Sequence, residues 1–167
     1  SDPAWSPDGG RIAFVRGGDV WVVAANSGTP DRAVGEDLAD GLGSPTWSPN
    51  GCELAFTWRG GVVRSRTDGT GLANVRTNAV EPSWGPTGRL AVSALSGNTR
   101  EVWLVNPDGG NFERLTIGGA RGPSWSADGT AVAFAAPTRP NPGIYTQAAG
   151  GDPQRVTTEA NDSNPAW

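Results

Sequence analysis

One motif recurs along this chain at nearly constant spacing, and it limits what the chain can fold into. Pro3-Ala4-Trp5-Ser6-Pro7-Asp8-Gly9 leads into the apolar run Ile12-Ala13-Phe14. Pro45-Thr46-Trp47-Ser48-Pro49-Asn50-Gly51 leads into Leu54-Ala55-Phe56, and Pro82-Ser83-Trp84-Gly85-Pro86-Thr87-Gly88 into Leu90-Ala91-Val92. Pro123-Ser124-Trp125-Ser126-Ala127-Asp128-Gly129 leads into Val132-Ala133-Phe134, and Pro165-Ala166-Trp167 opens a fifth copy. The motif tryptophans lie 42, 37, 41 and 42 residues apart. A period near 40 with strand-like content is the signature of a repeat array, most often a propeller.

Each repeat reads as four short strands. The first is the Pro-x-Trp-Ser segment. The turn after it is set by its residues: proline fixes the first central angle, Asp or Asn suits the second, and glycine takes the positive φ. The second strands are read at 11–15, 53–57, 89–93 and 131–135. The third strands carry Val20–Val23, Val62–Ser65, Val102–Val105 and Ile144–Gln147. In repeat two, Arg64 and Arg66 stand where apolar residues are expected. The fourth strands are Arg32–Val34, Asn74–Arg76, Arg114–Thr116 and Arg155–Thr157, read as solvated edges whose charge discourages pairing. No 3.6-residue period persists. Residues 35–43 read as a longer loop with at most one helical turn. The fold expected is an all-β propeller of four-stranded antiparallel blades, as a single domain over 1–167. The repeats run 3–44, 45–81, 82–122 and 123–164, with a fifth starting at 165–167.

Composition narrows the function. A net charge of −4 argues against a phosphate backbone as ligand, which needs a basic face. There is no histidine, so neither a Ser-His-Asp triad nor a Cys-His pair can form within the chain, and no enzyme activity is expected of it. Cys52 is the single cysteine, which excludes an intrachain disulfide and reads as a small core or turn residue. No run of about 18 apolar residues exists, so no membrane span is expected. The chain begins at Ser1 without an initiator methionine, as an excerpt or a processed chain would.

The Pro-x-Trp-Ser-Pro-Asp-Gly motif, followed by Val20-Trp21-Val22-Val23, Asn106-Pro107-Asp108-Gly109-Gly110 and Arg114-Leu115-Thr116, resembles the WD-like repeat of TolB-type β-propellers. The resemblance covers essentially the whole chain. It implies an extracytoplasmic bacterial protein, periplasmic or secreted, that binds other proteins through its loop face. It also implies six or more blades in the closed ring. This chain is therefore expected to be part of a larger ring, or to associate with another copy through its end blades. Two other readings stay open. One is the gating or substrate-selecting propeller of a prolyl-oligopeptidase-like serine peptidase, whose triad would lie on another domain. The other is a propeller for a small ligand or carbohydrate.

Binding residues are expected where loops leave the scaffold, because loops on rigid frames carry function more often than the frame does. The strand two-to-three turns and blade-to-blade loops supply Arg16, Asp19, Glu36, Asp37, Asp40, Trp58, Arg59, Asn78, Glu81, Arg100, Glu101, Arg121, Arg139, Asn141, Glu159, Asn161 and Asp162. Trp58 stands outside the repeat register beside Arg59, and Trp and Arg are the common hot-spot residues of interfaces. The repeated tryptophans are assigned to packing between neighbouring blades. The residues just before each repeated proline are Asp2, Ser44, Glu81, Gly122 and Asn164. Asp2, Glu81 and Asn164 among them are oxygen donors suited to a hard cation such as Ca²⁺.

Overall fold

The computed structural model describes residues 2–26, 28–34, 42–159 and 162–166. Of the sequence expectations, Glu36, Asp37, Asp40, Asn161 and Trp167 lie outside these residues, as does most of the 35–43 loop. The described residues form sixteen strands and no helix. Each repeat makes one sheet, its strands in chain order. β1 (Ala4–Trp5), β2 (Arg11–Arg16), β3 (Asp19–Ala24) and β4 (Asp31–Val34) form the first. β5 (Gly43–Trp47), β6 (Glu53–Trp58), β7 (Gly61–Arg66) and β8 (Ala73–Arg76) form the second. β9 (Ala79–Trp84), β10 (Leu90–Ser96), β11 (Thr99–Val105) and β12 (Glu113–Arg114) form the third. β13 (Arg121–Trp125), β14 (Ala131–Ala135), β15 (Ile144–Ala148) and β16 (Gln154–Arg155) form the fourth. The chain divides into two compact units, Ser1–Pro82 and Ser83–Trp167.

In each unit the core lies between two successive sheets. Ala13, Val20 and Val34 of the first sheet meet Trp47, Leu54, Phe56 and Val63 of the second. In the other unit Ala91, Val102 and Leu104 meet Val132, Phe134 and Tyr145. Phe56 and Phe134 are fully buried, each worth about 1.5–3 kcal/mol of transfer free energy. They hold one register position, opposite Val63 and Tyr145 respectively; Phe14 opposite Trp21 is its counterpart in the first sheet. Arg64 interrupts the apolar third strand of repeat two without penalty because its guanidinium pairs with Glu53 across the ladder.

The motif tryptophans divide. Trp47 is 5% exposed, and its indole N–H donates to the Ala4 carbonyl of the preceding sheet at 3.0 Å, as blade packing requires. Trp125 is half-buried, and its amide donates to Ser83 Oγ at 3.2 Å. Trp84 turns its indole N–H onto its own turn, at Gly88 O. Trp5 is 63% exposed, so packing between blades does not describe it.

The turn after the motif tryptophan is built as its residues dictate, with one part the pattern did not reveal. Gly9, Gly51, Gly88 and Gly129 take φ of 67 to 92°. The motif serine is what closes the turn. Ser126 Oγ donates to Asp128 Oδ1 at 2.6 Å and accepts the Ala131 amide at 3.0 Å, while the Thr130 amide donates to the same Oδ1. Ser6 with Asp8, and Ser48 with Asn50, make the same knot. All three serines are buried. Cys52 is a turn residue here, exposed, its amide donating to Asn50 Oδ1.

Repeat three has Gly85 in the serine position, and packing explains it. A Cβ on Gly85 would lie 2.8 Å from the ring of Trp125. The glycine is what lets that tryptophan approach.

The fourth strands of the third and fourth repeats are shorter than the sequence suggests. β12 stops at Arg114 and β16 at Arg155, where strands to Thr116 and Thr157 were expected. The threonine is the cause. Thr116 Oγ1 accepts the Val102 amide at 2.9 Å, while the Leu115 and Thr116 amides share the Val102 carbonyl. Thr157 treats Ile144 identically. A side-chain oxygen replaces a ladder carbonyl, so regular pairing ends. Thr116 is 1% exposed, which corrects its reading as part of a solvated edge.

Two predictions follow from these turns. Gly85→Ser restores the motif residue yet should destabilise by about 1–3 kcal/mol through overpacking, read as a lower thermal midpoint. Asp128 has its carboxyl held down to about 2, from an ordinary 3.8, first by the Ser126 hydroxyl and then by the Thr130 amide and hydroxyl. A depressed carboxyl stabilises the fold above pH 4, and that contribution is lost as pH falls toward 2. Asp128→Asn keeps the acceptor, as Asn50 does in repeat two. It should lower the midpoint modestly at pH 7, where the charge-assisted bonds are missing, and flatten its fall between pH 4 and 2, so that the two proteins converge at low pH.

Candidate functional site

The five residues before the repeated prolines share one backbone state. Asp2, Ser44, Glu81, Gly122 and Asn164 have φ of 53, 49, 54, 60 and 53°. For a non-glycine residue the left-handed region costs roughly 1–2 kcal/mol. It recurs at five positions, and in two of the first strands it sits in a bulge. Pairing of β5 with β6 skips from Gly43 to Thr46, and that of β13 with β14 from Arg121 to Ser124. The skipped residues are the left-handed one and its proline, which has no N–H to offer the ladder.

The bulge turns the left-handed residue's amide out of its own sheet. The Glu81 amide donates to Thr57 Oγ1 of β6 at 3.1 Å, and the Gly122 amide to Ser93 Oγ of β10 at 3.1 Å. Thr57 and Ser93 occupy one repeat position, where the first and fourth repeats carry Val15 and Ala135. The Ser44 amide finds Asp2 Oδ2 instead, at 3.3 Å. Of the residues expected at a cation site, Asp2 and Glu81 belong to the first unit and Asn164 to the second, beside Gly122. Among the described residues, no group of three or more His, Cys, Asp or Glu side chains is placed to hold a metal ion.

On the turns between second and third strands, most predicted residues are tied into the scaffold. Arg16 lies flat over Trp21, 3.8 Å from the ring centroid, and Asp19 pairs with Arg32 at 3.5 Å. Arg139 covers Tyr145 at 4.8 Å and donates to Ile117 O, and Asn141 O accepts the Tyr145 hydroxyl at 2.6 Å. These four brace the loops as well as facing outward. Arg100 is freer, exposed with one long bond to Ser93 O at 3.4 Å.

Trp58 and Arg59 behave differently from the rest. Trp58 is half-buried and packs on the core of its unit, so it is not the free-standing ring suggested by its place in the sequence. Its indole N–H is shut away from solvent with no acceptor among the described residues. Beside it opens a pocket of about 500 Å³, lined by Trp58, Arg59, Val63, Leu72, Asn74 and Asn78. The turn Trp58-Arg59-Gly60-Gly61 has positive φ at both central residues, 48° for Arg59 and 73° for Gly60. That is the geometry of a type I′ hairpin, which favours Asn-Gly or Gly-Gly. The equivalent turn of the first sheet uses Gly17-Gly18. An arginine in this place is strained, and it lies over the Trp58 ring at 5.0 Å. Leu72, 42% exposed, adds an apolar wall.

The bulge also yields a prediction. Thr57→Val removes the acceptor of the Glu81 amide at nearly constant volume and should cost about 1–3 kcal/mol, an unmade hydrogen bond costing more than a made one gains. Val15→Thr, which adds a hydroxyl that the first repeat lacks, should not destabilise to that extent. Denaturant unfolding measures both.

No protein-family model matches the chain, and no curated protein does. Among solved structures it is similar to TolB from Agrobacterium tumefaciens, with TM-score 0.85 and 20% identity over 96% of this chain and 62% of that one. It is similar to TolB from Acinetobacter baumannii, with TM-score 0.81 and 20% identity over 95% of this chain and 43% of that one. It is also similar to a puromycin-hydrolyzing peptidase of Mycobacterium tuberculosis, with TM-score 0.71 and 17% identity over 93% of this chain and 28% of that one. The chain spans less than two thirds of the length of each.

Proposed function

From the TolB-type β-propeller fold of this chain, we propose that it is a non-enzymatic scaffold that binds a protein partner through its loop face. The observation that carries the reading is Arg59. A residue ill-suited to its backbone angle is kept at the rim of an open pocket, stacked on a tryptophan. Strain of this kind is a recurrent property of binding sites. The pocket has the volume of a ligand site, with an apolar floor and polar rim groups in Asn74 and Asn78. An inserted side chain would contact the Trp58 ring, and Arg59 would supply charge. By its likeness to TolB the protein works outside the cytoplasm, where its partner would also lie.

A second reading has one observation in its favour, the likeness to the peptidase. There these loops would select substrates for a catalytic domain carried elsewhere. A Gly-x-Ser-x-Gly nucleophile elbow in adjoining sequence would decide for it.

The test uses a displayed random-peptide library selected on the immobilised protein. Wild type should enrich a sequence pattern, and Arg59→Asn should weaken the enriched peptides by tenfold or more. The same substitution should raise stability by about 1 kcal/mol, because Asn accepts the left-handed angle more readily. Loss of binding with gain of stability separates a site from a structural residue. Enrichment of no pattern, or of peptides indifferent to Arg59→Asn, overturns the reading.

A further inference from the structure

The second unit carries a site of different chemistry, built from Arg100 and Arg121. A pocket of about 200 Å³ lies between the β10–β11 turn, the start of β13 and the loop after β14. Arg100, Arg121, Thr99, Asn98, Gly119 and Thr138 line it. Both arginines are exposed, and neither has a carboxylate partner among the described residues. The Arg121 side chain makes no hydrogen bond among the described residues either, in a chain whose acidic groups outnumber its arginines.

The one carboxylate close by is unable to serve them. Glu101 is 2% exposed and directed into the protein. Its Oε2 accepts the Thr116 hydroxyl at 2.8 Å, and its Oε1 accepts the Gly118 and Gly119 amides, each at 3.0 Å. Those bonds fix the loop that forms one wall of the pocket. Thr138 Oγ1 donates to Gly118 O at 3.2 Å and fixes the facing wall. The Ala120 amide donates to Arg100 O at 2.8 Å, which holds the two arginine-bearing strands side by side. The pocket walls are thus braced before anything enters it, and its two cationic groups face no carboxylate among the described residues.

Size and surroundings identify the occupant. About 200 Å³ is below the roughly 300–1,000 Å³ of a small-molecule site. It fits one carboxylate side chain or one terminal residue. Leu95, 55% exposed, pairs directly with Arg100 across the ladder, and Ile117, 72% exposed, adjoins the Gly118–Gly119 wall. Exposed apolar residues beside unpaired arginines suit an acidic segment that also carries apolar side chains. We propose that this pocket binds a carboxylate of an acidic, leucine-rich peptide segment. Arg100 and Arg121 would hold the carboxylate by charge-assisted hydrogen bonds, and Leu95 and Ile117 would contact the flanking apolar residues. The inference rests on the protein-binding reading for the kind of occupant, but on separate residues for the site.

Fluorescence anisotropy with labelled ten-residue peptides tests it. One peptide alternates glutamate with leucine, and its counterpart has glutamine for every glutamate; both have blocked ends. The glutamate peptide should bind at least tenfold more tightly, and more weakly as salt rises from 50 to 300 mM. Arg100→Gln and Arg121→Gln should each reduce its affinity about tenfold, whereas Arg66→Gln, at an exposed arginine of the first unit, should not. Equal binding of the two peptides, or equal binding by wild type and both variants, overturns the proposal. Displacement by free acetate at concentrations near the peptide's own dissociation constant also overturns it, because the site would then be one for small carboxylates. Arg59→Asn run in parallel separates the two sites. If the library peptides need Arg59 while the glutamate peptide fails to bind, this inference falls and the scaffold reading stands.

Discussion

The structure depends on a residue forced into the left-handed region immediately before a proline. Proline cannot donate to the ladder, and in β5 and β13 the pairing breaks at the proline and the residue before it. The preceding residue turns its amide away from its own sheet, and the amide must then be satisfied elsewhere. Thr57 and Ser93 satisfy it at Glu81 and Gly122, and the Asp2 carboxylate at Ser44. The strain of the left-handed angle is offset by a bond that no regular strand would make. The bonds at Glu81 and Gly122 each reach a strand of the preceding sheet, beside the apolar contacts.

The same economy recurs at the other ends of the strands. The motif serine closes the first turn, and a threonine hydroxyl ends the fourth strand by standing in for a carbonyl. Short strands of two to seven residues are stable here because side-chain oxygens complete the hydrogen bonding where the ladder stops. A frame braced in this way at its strand ends can carry strained or charged turns. Arg59 on its stacked tryptophan and Arg100 beside its rigid pocket are both supported in this way.

The repeat grammar made the architecture legible. Tryptophan spacing, Pro-Asp-Gly turns and apolar triplets place all four sheets, because these depend on local chemistry that recurs at fixed intervals. What stayed hidden depends on neighbours distant in sequence. Gly85 reads as a degenerate serine until Trp125 is seen against it. Trp58 reads as an exposed ring until its packing on Phe56 and Val63's core is known. Glu101 reads as an ordinary loop acid, although it is buried and saturated. One signal was available: a glycine, Gly122, in register with Asp2, Ser44, Glu81 and Asn164 marks a position of positive φ, since three of those four are small polar residues that tolerate it.

Amide hydrogen exchange at Glu81 and Gly122, followed by NMR, tests the central claim most directly. Gly122 sits at a break in regular pairing, Glu81 holds the same repeat position, and both are only half-buried, so ordinary loop amides there would exchange fast. The account predicts protection comparable to that of Val92 and Val132, in the core strands. It also predicts that protection falls at Glu81 alone in Thr57→Val and at Gly122 alone in Ser93→Ala. Fast exchange of both amides in the unmodified protein would contradict it, and the bulge would then be a local irregularity with no part in joining the repeats.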